Sequence, residues 1–325
     1  MFFEKIFYAI ANKINHLSIL FIYLFNINIK CVDSNYDSAE TIFKPSLDVE
    51  SDGVIPKIIW FYWHDEKLPF FIEKCFLNAK KNNPDYSVKL LNKNNIKNFI
   101  NIDLSLIERE SIQHQSDYIR LSLLKKYGGV WMDSSIMMFK NINYYCDLMI
   151  LKKTNFLSFY CPDYILDKDN PIFENWFMIS SKNNLIVCDW LDELDYCFRL
   201  GSGVYVNKVI ADNKEYIQNI PNPFYFFSYI AAQKSIRKNS GYIFINAYHT
   251  AFYYHIVGGW NILSKFKNKM HYSKLIKNLT VYKHPDCLPI FIKLTGGDRD
   301  FINSRLKFKI FSKDSIIHDF LKINR

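Results

Sequence analysis

No CxxC pair and no His-containing zinc spacing occurs among the seven cysteines, Cys31, Cys75, Cys146, Cys161, Cys188, Cys197 and Cys287. That absence argues against a structural zinc module and a dithiol redox motif. The odd, scattered set fits reduced thiols in a cytosolic protein. A long apolar run is also missing: the longest, Leu17 to Phe25, is broken by Ser18 and falls far short of the ~20 residues that cross a bilayer. The start of the chain has a thin basic region and no small-residue cleavage site, so a secretory signal is not expected. No internal repeat, low-complexity tract or nucleic-acid-binding motif is present, and nucleic acid is not an expected partner.

What the chain does contain is a large apolar and aromatic fraction, 49% and 17% of 325 residues, with a formal charge of +9. This composition excludes a mainly disordered protein and supplies a sizeable core. The charge is uneven. Of 41 basic and 32 acidic residues, 14 and 5 lie after Trp260, leaving 27 of each before it. A basic C-terminal segment suits an anionic membrane or a polyanionic glycan. The Phe, Tyr and Lys mixture of Met1 to Lys30 fits an interfacial helix or an ordinary packed one. The polar stretch Val32 to Gly53 reads as a linker.

From Pro56 the hydrophobic pattern changes period. Ile58 to Trp63 is a continuous apolar run of strand type, and Leu68 to Asn83 has helical spacing that Pro84 ends. Tyr86 to Leu91 alternates as a strand, and Asn94 to Ile100 reads as a short helix. Thr154 to Tyr160 and Trp176 to Ser180 are further strands, and Leu185 to Arg199 is a helix. The aromatic stretch Phe224 to Tyr254 is expected to cover a site. Alternating strands and helices predict an α/β fold with a mostly parallel central sheet and an N-terminal helical segment.

The most informative run is Ser116 to Ser135, SDYIRLSLLKKYGGVWMDSS. Asp117 and Arg120, three apart, project from one face of a helix that Leu121, Leu124 and Tyr127 pack down. Gly128 and Gly129 stop the helix. Val130 to Met132 form a buried strand, and Asp133 sits at its end. Ligands of open α/β sheets bind at carboxyl ends of strands, so this cluster suggests a site for something phosphorylated.

IPKIIWFYW at 55–63, followed by this run, resembles the capsular polysaccharide synthesis glycosyltransferases. Those group with the sugar-binding-motif transferases related to yeast initiation mannosyltransferase and the clostridial glucosylating toxins. The resemblance covers about Ile55 to Phe139 closely and extends in patches to about Thr295. It implies a GT-A type, Rossmann-like nucleotide-sugar-binding domain and a retaining, metal-assisted transfer from a UDP- or GDP-sugar to a capsular or lipid-linked glycan. By the same resemblance Trp63 stacks on the donor base, and Asp117 and Arg120 hold the donor. Asp133 is the first carboxylate of the DxD motif that binds Mn²⁺ or Mg²⁺, while Ser135 stands where the second acid belongs. Asn175, within Glu174 to Met178, faces the sugar. His255 and Trp260 match the late element that closes over the diphosphate, with His255 a further metal ligand. Lys293, within FIKLTGG, is a phosphate contact.

The expected layout is an N-terminal helix and linker over 1–50, whose composition suits membrane association, then a nucleotide-sugar half over 51–160. An acceptor and closing half over 161–300 and a basic tail over 301–325 complete it. The protein is expected in the cytoplasm, peripheral to the inner face of the cytoplasmic membrane. Two other functions fit the same residues: a phosphosugar transferase of capsule synthesis, and a degenerate scaffold binding glycan or membrane.

Overall fold

The structure is a computed structural model that describes residues 10, 13–14, 17–46, 54–101, 104–260 and 267–322. Its strands are β1 (Thr41–Lys44), β2 (Ile58–Tyr62), β3 (Ser87–Leu91), β4 (Gly129–Met132), β5 (Ile136–Met138), β6 (Phe156–Tyr160), β7 (Phe177–Ser180), β8 (Tyr242–Asn246) and β9 (Phe291–Lys293). The helices are α1 (17–24), α2 (Phe70–Asn82), α3 (Leu104–Ile107), α4 (Ile112–Tyr127), α5 (Asn143–Leu151) and α6 (Leu185–Leu200). They continue as α7 (Ser202–Asp212), α8 (Phe227–Ile236), α9 (Tyr253–Val257), α10 (Lys267–Thr280), α11 (Gly296–Phe308) and α12 (Ile316–Lys322).

Seven strands form one sheet in the order β1-β8-β6-β7-β4-β2-β3, and β5 and β9 form a separate pair. Following the pairings across the sheet, β3, β2, β4, β6 and β8 run one way and β7 and β1 run the other. The sheet is therefore mostly parallel, as the alternation of elements predicts. Strands β4, β6, β7 and β8 are buried along their whole length, which is why they read as continuous apolar runs rather than alternating ones. Helix α4 packs on β4, β2 and α6, and α6 packs on α8.

Helix α4 begins where the Ser111 side chain accepts a hydrogen bond from the His114 amide (3.3 Å), an N-cap. It ends at Gly128, with φ +67°; Gly129 follows at φ +93°. A Cβ on Gly128 would lie 2.6 Å from the Lys182 nitrogen, and one on Gly129 would lie 2.6 Å from the Ile58 carbonyl oxygen. Both glycines are needed for conformation and for space, because the chain must drop from helix into a strand hemmed by two neighbours.

Three local expectations differ. Asn94 to Ile100 holds only a 3₁₀ turn at Ile96–Asn98. The Asn92 side chain accepts from the Asn94 and Asn95 amides, and that of Asn95 accepts from the Asn92 amide, a local bonding that competes with a helix. The stretch read as a linker contains β1, which pairs antiparallel with β8 at the sheet edge; its residues 47–53 lie outside the described residues. The segment read as a basic tail forms most of α11 and all of α12, with Ile302, Ile316, Ile317 and Phe320 buried and Phe320 against Phe71. Residues 323–325 lie outside the described residues, as do 1–9, 11–12 and 15–16 of the N-terminal segment.

Candidate functional site

A cavity of about 600 Å³ opens at the carboxyl ends of β2 and β4. Eight of the nine residues singled out from sequence line it: Trp63, Asp117, Arg120, Asp133, Ser135, Asn175, Trp260 and Lys293. They come from several elements far apart in the chain, so the site is assembled by the sheet and the helices beside it.

Asp133 follows β4 directly, and its amide donates to the Trp176 carbonyl (2.8 Å) just before β7. Its Oδ1 accepts from the Trp131 indole (3.1 Å) and lies 3.5 Å from Arg120 Nη2. Its Oδ2 lies 3.0 Å from Lys293 Nζ. Burial pushes this carboxyl up, but Lys293 and Arg120 outweigh burial and hold it below the usual carboxylate value.

Arg120 is buried over the Trp131 ring, 4.9 Å from its centre. Nη1 donates to the Asn175 carbonyl (2.5 Å) and Nε to the Ser116 carbonyl (3.2 Å). Nη2 donates to Ser116 Oγ (3.2 Å) and lies 3.2 Å from Asp117 Oδ1. Asp117 Oδ1 also accepts from Asn175 Nδ2 (2.9 Å). The guanidinium thus ties Asp117, the Asn175 backbone and Asp133 into one piece. Its hydrogen-bonding capacity goes largely to protein, so it organises the site more than it forks onto a diphosphate. Burial outweighs Arg120 at Asp117 and pushes that carboxyl above the usual range. Asn175, expected to face the sugar, lines the cavity with its Nδ2 donating to Asp117.

His255 is the residue that does not join. It is fully buried and absent from the cavity wall, and its Nε2 lies 3.0 Å from Asp298 Oδ2. The same carboxylate oxygen accepts from the Thr295 amide and hydroxyl, each at 2.7 Å, and Thr295 caps α11 in a capping box. His255 therefore buttresses the start of α11 from behind. His249 is engaged elsewhere, its Nδ1 accepting from the Glu40 amide (3.4 Å).

The residues expected to hold Mn²⁺ or Mg²⁺ were Asp133, Ser135 and His255, and the structure does not bring the three together. Both Asp133 oxygens face cations or donors. Ser135 Oγ donates to the Leu294 carbonyl and accepts from Lys293, each at 2.9 Å. Among the described residues no group of three or more His, Cys, Asp and Glu side chains could hold a metal ion. A hard divalent ion wants several oxygen ligands, and the arrangement does not offer it a free set.

Sequence reasoning left other wall residues unread. Arg299, in the first turn of α11, stacks over Trp63 at 5.3 Å. Glu174 Oε2 accepts from the Tyr229 hydroxyl (2.8 Å), and burial pushes the Glu174 carboxyl up. Lys293, two positions ahead of the Thr-Gly-Gly helix start, was expected as a phosphate contact. Its pairing with Asp133 was not, because it depends on β9 joining β5.

Residues 22–199 match the model of the capsular polysaccharide synthesis protein family, more than half of the chain. The chain belongs to that family. Over 106 residues it is 24% identical to the O-glycosyltransferase braB of Annulohypoxylon truncatum, a match covering 28% of this chain and 25% of that protein. The chain thus spans about a quarter of the length of that curated relative. Among solved structures, the PaToxG glycosyltransferase is 14% identical with a TM-score of 0.34, covering 85% of this chain and 96% of that one. The galactosyltransferase LgtC, in complex with donor and acceptor sugar analogues, is 8% identical with a TM-score of 0.35, covering 78% and 95%.

Proposed function

We propose that this family member is a GT-A type glycosyltransferase. It moves a sugar, with retention, from a UDP- or GDP-sugar to a capsular or lipid-linked surface glycan at the inner face of the cytoplasmic membrane. The observation that carries this reading is the convergence of Trp63, Asp133, Lys293, Arg299 and the first turn of α11 on one cavity wall. An aromatic face beside cations and a helix N-terminus suits a nucleoside diphosphate: Trp63 stacks on the base, and the charged end takes the phosphates. In α11 the capping box occupies the Thr295 and Asp298 amides, and those of Gly296 and Gly297 have no acceptor within the helix.

Transfer begins when the bond between the sugar and the diphosphate breaks. Lys293, Arg120 and the α11 amides then oppose the negative charge gathering on the leaving oxygen. Such fixed electrostatic stabilisation is usually the largest catalytic contribution. Asp133 holds Lys293 and Arg120 on either side of itself, and Arg120 fixes Asp117. The acceptor hydroxyl attacks from the face that the nucleotide vacates. Glu174, held by Tyr229 and with its proton affinity raised by burial, is the group suited to take the acceptor's proton.

A panel of nucleotide sugars, screened for thermal stabilisation and slow donor hydrolysis, tests this reading. One UDP- or GDP-sugar should give both signals, and Asp133→Ala should remove hydrolysis while circular dichroism stays unchanged. Near-normal turnover in that variant would falsify the assignment.

A further inference from the structure

We infer that Lys293 is the resident cation of this site: its ammonium group occupies the oxygen cage that a divalent ion would need, so the donor diphosphate is bound without metal. The inference rests on the nucleotide-sugar reading above and adds to it that the lysine stands in for a metal at the phosphates.

Three oxygens converge on Lys293 Nζ. Asp133 Oδ2 lies at 3.0 Å, Ser135 Oγ at 2.9 Å and the Leu294 carbonyl at 3.1 Å. They are the kinds of ligand a hard cation takes: one carboxylate, one hydroxyl and one carbonyl. An ammonium has three N–H donors, so this set satisfies it completely. The position is built in, because Lys293 pairs with Ile136 in the β5–β9 ladder, next to Ser135, and its side chain is only 11% exposed. A metal would have to expel a buried lysine from its carboxylate and leave that charge beside its own, at a cost set by like-charge repulsion in a partly desolvated site. A phosphate oxygen needs only to replace one of the three acceptors, and it gains a charge-assisted hydrogen bond.

The missing second acid then has a physical reason. A carboxylate at position 135 would add negative charge where the lysine already neutralises Asp133. Ser135 instead accepts one N–H and donates its own hydroxyl hydrogen bond to the Leu294 carbonyl.

The test is calorimetric titration of the full chain with UDP and with GDP, in chelator and in millimolar Mn²⁺ or Mg²⁺. The expected result is binding of one nucleotide in chelator with an affinity within about threefold of that in metal. Lys293→Met should weaken binding in chelator by about tenfold or more, and Lys293→Arg should restore part of it. Wild-type binding that tightens about tenfold or more with metal overturns the inference while the nucleotide-sugar reading stands. So does undiminished binding by Lys293→Met. Binding of neither nucleotide in either buffer overturns both. The wild-type comparison needs no variant, so it decides even if Lys293→Met fails to fold.

Discussion

Arg120 shows how one side chain fixes several others. Its guanidinium contacts Ser116, Asp117, Asp133 and the Asn175 carbonyl while lying over Trp131. Arg120→Lys keeps a positive charge but loses the planar set of donors. We expect transfer to fall by about a hundredfold or more, in line with losing a preorganised electrostatic group. Denaturant unfolding should show a loss of about 3 kcal/mol, because buried Asp117 and Asp133 lose a partner. Asp133 carries a pH signature of its own. Its folded carboxyl is held below the ordinary 3.8, so its stabilising contribution is complete above that value and disappears as pH falls through the lower folded one. Asp117 and Glu174 lie above their ordinary values and oppose this trend, since their ionised forms cost stability as pH rises.

At the scale of elements, the α4–β4 junction and the start of α11 decide the shape of the cavity. Gly129→Ala meets a positive φ and an Ile58 oxygen 2.6 Å from the new Cβ. It should destabilise by about 2 kcal/mol or more, measurable as a lower denaturation midpoint. The α11 turn depends on Asp298, which burial pushes up but which His255 and the Thr295 donors hold low. Asp298→Asn should therefore lower the melting temperature at neutral pH, and the gap to wild type should narrow as pH falls below the ordinary carboxyl value of 3.8. A pH-independent gap in melting scans would show that the carboxylate charge contributes nothing there.

On the scale of the whole molecule, charge and apolar surface point the same way. Among the described residues no helix is long and apolar enough to cross a membrane. Yet α1 buries Ile19 and Ile22 while Leu17, Phe21 and Leu24 stand 66%, 53% and 72% exposed, with Phe25 just beyond at 67%. That spacing places a hydrophobic ridge on one helical face, and several basic residues of the C-terminal segment, among them Lys274, Lys277, Arg305, Lys307 and Lys322, lie on helices α10, α11 and α12. We expect the protein to float with anionic vesicles more than with neutral ones, and less so at high salt. Leu17→Glu together with Phe21→Glu should cut vesicle binding by about tenfold. Equal flotation of this double variant would show that the ridge does not dock on lipid.

The sequence by itself determined the elements whose hydrophobic period is long and unambiguous: β2, α2, α4, β4 and α6. It also determined the local constellation of Asp117, Arg120, Gly128, Gly129 and Asp133, because helix spacing and a helix-to-strand stop are short-range geometry. Asn92 and Asn95 defeated the short helix since side-chain bonding competes there without changing the hydrophobic pattern. Thr41–Lys44 looked like linker because an edge strand covered on one side needs little apolar character. Only the tertiary structure decided which distant groups meet. Lys293 reaches Ser135 across 158 positions through the β5–β9 ladder, and His255 turns to Asp298 rather than to the cavity. Such pairings depend on long-range strand registry and on competition for buried charge, and neither leaves a period in the chain.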